Sequence, residues 1–109
     1  MIDSAVLLRI GEILEARKCA AAESSYASGL FHQGEDAILR KMAEEAVEVM
    51  LASKSGDKLH LVREVADLWF HTLVLLSFQG LGPGDVLHEL RRREGISGID
   101  EKSGRNPAP

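Results

Sequence analysis

Apolar residues recur every three or four positions along most of the chain, and two-residue alternation is scarce, so the pattern predicts helices and gives strands little support. Val6, Leu7, Ile10, Ile13 and Leu14 form one stripe, which predicts a first helix from Asp3 or Ser4, either of which can cap it, to about Cys19. A short second helix is expected from Ser24 or Ser25 to His32, with Gly34 as its stop. Glu35 and Asp36 open a third helix that runs to about Lys54, and Asp57 caps a fourth that runs to about Gln79. A fifth begins after Pro83, with Gly84 or Asp85 at its start, and ends at Gly95. The expected fold class is all-α: four to five helices around a central antiparallel hairpin made by the third and fourth. Residues 1–95 read as one domain, and residues 96–109, rich in Gly, Ser and Pro, as a flexible tail.

The fourth helix departs from a one-sided stripe, because Leu68, Trp69, Phe70, Leu73, Val74, Leu75, Leu76 and Phe78 make it apolar nearly all round. Such a helix needs neighbours on every side, so a homodimer is expected, with the partner chain completing the bundle through this segment. The 109 residues and 45% hydrophobic content suit one modest core and no second domain. A formal charge of -4 argues against coating a nucleic-acid backbone, which takes clustered Lys and Arg. Asp3, Arg9, Glu12 and Glu15 interrupt the first apolar segment, and no run of roughly 18 apolar residues occurs, so neither a secretory signal nor a membrane span is expected. The lone Cys19 has no partner for an internal disulfide, which fits a reducing cytoplasm.

Five acidic residues flank the turn at Ser55, Gly56 and Asp57: Glu44, Glu45 and Glu48 before it, Glu64 and Asp67 after it. Glu48 and Glu64 each lie eight residues from Gly56, and Glu45 and Asp67 each lie eleven. In a helical hairpin these two pairs meet at matching heights, about 12 and 16 Å from the corner. Facing carboxylates repel, and a cation relieves that cost. The plain alternative is a set of intrahelical ion pairs, Lys41 with Glu45 and Arg63 with Asp67, worth about 0.3 to 0.5 kcal/mol each. Those pairs do not explain why the acids interrupt the apolar line of Leu61, Leu68 and Leu75. An oxygen-only donor set suits a hard cation, Mg²⁺ first and Mn²⁺ as its substitute. No His stands at the spacing of a di-iron bundle site, and His71, four residues after Asp67, reads as a packing or hydrogen-bonding residue. Mg²⁺ held by carboxylates usually addresses phosphate oxygens, so nucleotide chemistry is the leading class. No glycine-rich phosphate loop occurs, which leaves the phosphates to the metal and to basic side chains, with Lys41 nearest the acids by helical spacing.

These residues resemble a known family. Glu-Glu-x-x-Glu at Glu44, Glu45 and Glu48, followed by Glu-x-x-Asp at Glu64 and Asp67, is similar to the signature of the all-α nucleotide pyrophosphatase superfamily. Flanking pieces narrow the resemblance to the phosphoribosyl-ATP pyrophosphatase family. They are Ser25 and Tyr26 with Leu30 and Gly34, Lys41 ahead of the acids, and Ala66, Asp67 and Leu68 leading to His71 and the run from Leu73 to Leu76. Leu90 to Arg93 with Gly95, and Glu101, Lys102 and Arg105 in the tail, complete it. The resemblance covers most of the chain and implies Mg²⁺-dependent hydrolysis of phosphoribosyl-ATP to phosphoribosyl-AMP and pyrophosphate, the second step of histidine biosynthesis. It implies Glu45, Glu48, Glu64 and Asp67 as metal ligands, and Glu44 or Glu45 as the catalytic group acting on the attacking water. Ser25, Tyr26, Lys41, Arg93, Lys102 and Arg105 are the implied substrate contacts. Two other readings share some of these features: a house-cleaning pyrophosphatase acting on dNTPs or dUTP, and a non-catalytic helical dimerisation module whose acids only solubilise a bundle.

Overall fold

The computed structural model describes residues 2, 3 and 5–96. Beyond Ile96, the expected flexible tail, with Lys102 and Arg105, lies outside the described residues. The elements are α1 (Ala5–Lys18), a single 3₁₀ turn (Ala22–Ser24), α2 (Tyr26–Gln33), α3 (Glu35–Ser55), α4 (Lys58–Phe78) and α5 (Pro83–Arg93). No strand occurs among the described residues, and the class is all-α as the periodicity implies. No helix among them is long and apolar enough to cross a membrane.

The helix starts follow local side-chain chemistry. Asp3 Oδ1 accepts from the Ala5 N–H at 3.0 Å, Ser25 Oγ from the Ser28 N–H at 3.0 Å and Asp57 Oδ1 from the His60 N–H at 3.1 Å. Each bond satisfies a donor that the first helical turn leaves over. α5 starts one residue earlier than expected, with Pro83 inside its first turn. Proline lacks the N–H that would otherwise go unpaired there. Gly56, at φ 80°, takes the left-handed conformation that ends α3 and lets α4 begin two residues later.

α3 and α4 pack along each other as the central hairpin, and α1 and α2 cover the half of it farther from the turn. The core there consists of Leu14, Ala27, Leu30, Ile38, Leu73 and Val74, with Leu7, Ile10, Phe31, Met42, Phe70, Leu75 and Leu76 packed around it. Burying one Leu, Ile or Val side chain contributes about 1.5 to 3 kcal/mol. A polar clamp fixes α1 to α4: Lys18 Nζ donates to the Ser77 carbonyl at 2.8 Å, and Ser77 Oγ donates to Glu15 at 2.7 Å. Lys18 also pairs with Glu15 at 2.9 Å, and the hydrogen bonds from Lys18 and Ser77 hold the Glu15 carboxyl below its ordinary range. Gly11 lets α1 approach the start of α5, because a Cβ at that position would stand 2.7 Å from Pro83 Cδ.

The all-round apolar character of α4 has a partly different solution from the one expected. The chain's own helices bury Leu73 and Val74 and half-bury Leu68, Phe70, Leu75 and Leu76. Trp69 stays 57% exposed, and toward the hairpin turn Val47, Met50 and Leu51 on α3 and Leu59 and Val62 on α4 are uncovered as well.

Candidate active site

The acids sit where the buried end of the hairpin gives way to its open end. Because the two helices run antiparallel from Gly56, residues at equal distance from the turn come level. One carboxylate oxygen from each of Glu45, Glu64 and Asp67 lies within 4.8 Å of the others. Glu48, expected as a fourth ligand, is not part of that group, although its charge still opposes ionisation of Glu45. Glu45 Oε2 is buried and has no hydrogen-bond partner. Burial raises the Glu45 pKa above its ordinary value; contact with the Glu64 carboxyl and the charges of Asp67, Glu64 and Glu48 act the same way. Two carboxyl groups share a hydrogen bond only when one carries the proton, so the Glu45 to Glu64 contact and the lack of a donor for Oε2 express the same deficit.

Among the described residues, no Lys or Arg forms an ion pair with the trio. Lys41 pairs with Glu44 at 3.3 Å and leaves Glu45, three and four residues along the same helix being equally within reach. That bond to Glu44 raises the Lys41 pKa. Arg63 forms no ion pair with Asp67 among the described residues. Among the described residues, the ion-pair partner of the trio is His60, whose Nε2 lies 3.2 Å from Glu64 Oε1. This contact was not singled out from the sequence, although its four-residue spacing on one helix was readable there.

The expected substrate contacts fall in different places. Ser25 acts as the cap of α2, and its hydroxyl also donates to Ser28 Oγ at 2.9 Å. Tyr26 stands at the border of the acids, where Lys41, Glu44, Glu45 and Asp67 all bear on its phenol, and burial raises the Tyr26 pKa above its ordinary value of 10.0. Its hydroxyl meets His71 Nε2 at 2.8 Å, and His71 Nδ1 meets the Asp67 carbonyl at 2.8 Å. Arg93 is at the end of α5, where it pairs with Glu89 at 3.3 Å.

A raised carboxyl pKa makes stability depend on pH in a definite direction. Glu45 keeps its proton in the fold to a higher pH than in the unfolded chain. Its neutral form therefore costs nothing below the ordinary value of 4.5, and stability is lost as pH rises from there through the raised value. Glu89, lowered to about 2 by its bonds to Arg92 and Arg93, acts oppositely, but only below 4.5. The metal-free protein is thus expected to melt at a lower temperature at about pH 8 than at about pH 5, and millimolar Mg²⁺ to reverse that fall. An ion that binds only the folded state adds about 2.7 kcal/mol at about one hundred times its Kd. Melting curves that ignore Mg²⁺ and Mn²⁺ at the higher pH would count against a cation at the trio.

Comparison with known proteins bears on this geometry. The profile of the family described as Phosphoribosyl-ATP pyrophosphohydrolase matches residues 8–94. The chain belongs to this family. A phosphoribosyl-ATP pyrophosphatase of Chromobacterium violaceum is 67% identical to it, with 94% of each chain covered. Phosphoribosyl-ATP pyrophosphatases of Nitrosospira multiformis and Azoarcus sp. are 59% and 57% identical. Each covers 96% of this chain, and 87% and 98% of their own lengths are matched. The matched family region contains Tyr26, Lys41, the five acids and Arg93, and ends before Lys102 and Arg105.

Proposed function

We propose that the protein hydrolyses phosphoribosyl-ATP to phosphoribosyl-AMP and pyrophosphate, a step of histidine biosynthesis in the cytoplasm, at the acid trio between α3 and α4. The observation that carries this reading is the buried Glu45 oxygen with no donor among three converging carboxylates. A hard divalent cation fits that donor set, so Glu45, Glu64 and Asp67 are the residues to hold Mg²⁺, or Mn²⁺ in its place, with Glu48 adding charge from outside the trio. Bound there, Mg²⁺ supplies charge neutralisation for the triphosphate and for the departing pyrophosphate.

The remaining steps belong to the chain's own groups. Glu44 lies one residue before Glu45, exposed and outside the trio, which suits it to orient the attacking water and take its proton. The water oxygen attacks the α-phosphorus, the bond to the bridging oxygen breaks, and pyrophosphate leaves with that electron pair. Lys41, held on Glu44, faces the same space and offers its ammonium to a phosphate oxygen. Pyrophosphate released from phosphoribosyl-ATP only when Mg²⁺ or Mn²⁺ is present is the expected result. Orthophosphate as the first product, or no release at all, would overturn the reading.

The uncovered apolar side chains support a homodimer. Met50, Leu51, Leu59, Val62 and Trp69 are all more than half exposed, although α1 and α2 already cover the other end of the hairpin. A second copy laid along this surface completes the bundle and leaves the acids at its border. Sedimentation of the native chain at micromolar concentration is expected to give twice the 11.9 kDa chain mass. A Trp69→Glu variant, which charges that surface, is expected to sediment as one chain. A native monomer would sink the dimer without touching the catalytic reading.

A further inference from the structure

His71 and Tyr26 form a connection that carboxylate convergence does not require. The Asp67 carbonyl oxygen can only accept, so its 2.8 Å contact places the imidazole proton on Nδ1. In the neutral ring Nε2 then carries the lone pair, and the Tyr26 hydroxyl, 2.8 Å away, is its donor. His71 is only 5% exposed, whereas Tyr26 is 54% exposed, so the tyrosine is tethered by its polar tip while much of its ring stays open. Phe70 and Tyr26 both meet the imidazole edge-on, with centroids 5.6 and 5.7 Å away, which restricts its rotation. One end of the connection is the first residue of α2. The other is the main chain of Asp67, a member of the acid trio.

We propose that His71 is a positioning residue that holds the Tyr26 ring at the border of the acid trio as a flat wall for the purine end of the substrate. A purine is recognised by an aromatic face, which a neutral phenol supplies without adding charge beside the phosphates. Burial holds the phenol above its ordinary pKa and so keeps it neutral. The tether prevents the half-exposed ring from turning away when no substrate is present, so the wall is formed in advance. The family resemblance implies Tyr26 as a substrate contact, but nothing in the spacing of positions 26 and 71 places His71 behind it.

This inference rests on the phosphoribosyl-ATP reading, and steady-state hydrolysis by the full chain in Mg²⁺ separates the two. Tyr26→Phe keeps the ring and removes only the tether. His71→Asn keeps an amide N–H within reach of the Asp67 carbonyl and also removes the tether, while Tyr26→Leu removes the ring. Tyr26→Phe and His71→Asn are each expected to raise KM about fivefold with kcat within about twofold, and Tyr26→Leu to raise it about tenfold or more. The Tyr26→Phe/His71→Asn double variant is expected to match the weaker single variant, because both changes break the same bond. An unchanged KM in Tyr26→Phe, additive losses in the double variant, or a loss confined to kcat would overturn the proposal. Tyr26→Phe leaves the buried His71 Nε2 without its donor, so a modest fall in melting temperature is expected, and KM is compared at a temperature well below the melting points of both proteins. If the wild type releases no pyrophosphate from phosphoribosyl-ATP, the functional reading fails. The calorimetric Kd for Mg-ATP across the same variants then decides the wall by itself: about fivefold weakening supports it and an unchanged Kd overturns it.

Discussion

Glu45→Gln is expected to reduce turnover by about a thousandfold or more while the metal-free protein melts at an equal or higher temperature. The substitution keeps the shape of the side chain and removes one anionic ligand from a trio whose oxygens lie within 4.8 Å of one another. In the metal-free fold it also places an amide where a buried carboxylate oxygen has no donor, and the new N–H can meet Glu64 or Asp67. Activity and stability should therefore move in opposite directions, which is the mark of a residue kept for its charge. Asp67→Asn is expected to lose activity in the same way, with less gain in stability, because Asp67 is exposed. Near-normal turnover in Glu45→Gln would return the trio to the status of an ordinary acidic surface.

The intact protein is expected to prefer phosphoribosyl-ATP over ATP by about a hundredfold or more in kcat/KM. A metal and carboxylates address only the triphosphate, which the two substrates share, so discrimination must come from groups that meet the added ribose phosphate. Arg93 is the described candidate. It shares the Glu89 carboxylate with Arg92, an exchangeable surface pair that a phosphate can replace. Lys102 and Arg105 are the other two, outside the described residues. Arg93→Ala, and separately removal of the residues after Gly98, are each expected to narrow the preference mainly by raising KM for phosphoribosyl-ATP. Equal hydrolysis of ATP by the intact chain would favour the house-cleaning reading. A preference unchanged by either alteration would clear these residues of the role.

Much of the fold was legible because its determinants are local. A stripe every three or four residues defines a helix face, Ser25 and Asp57 cap with their own oxygens, and Gly56 ends a helix without help from distant residues. The mirror placement of the acids about Gly56 follows from the same arithmetic, since rise per residue sets height along a hairpin. Other features depended on how the helices rotate and pack against each other, and chain spacing does not encode that rotation. It brought Glu45, Glu64 and Asp67 together and left Glu48 outside, although Glu48 and Glu64 are level by count. It also buried Glu45 Oε2 and left Glu44 exposed, so Lys41 meets the acid three residues away, where both charges remain in water. The α4 surface divides for the same reason: α1 and α2 bury Leu73 and Val74 but leave Trp69 and Val62 more than half exposed. Tyr26 and His71, forty-five positions apart, meet only because α2 folds back across α4, and no period in the sequence announces a contact at that separation.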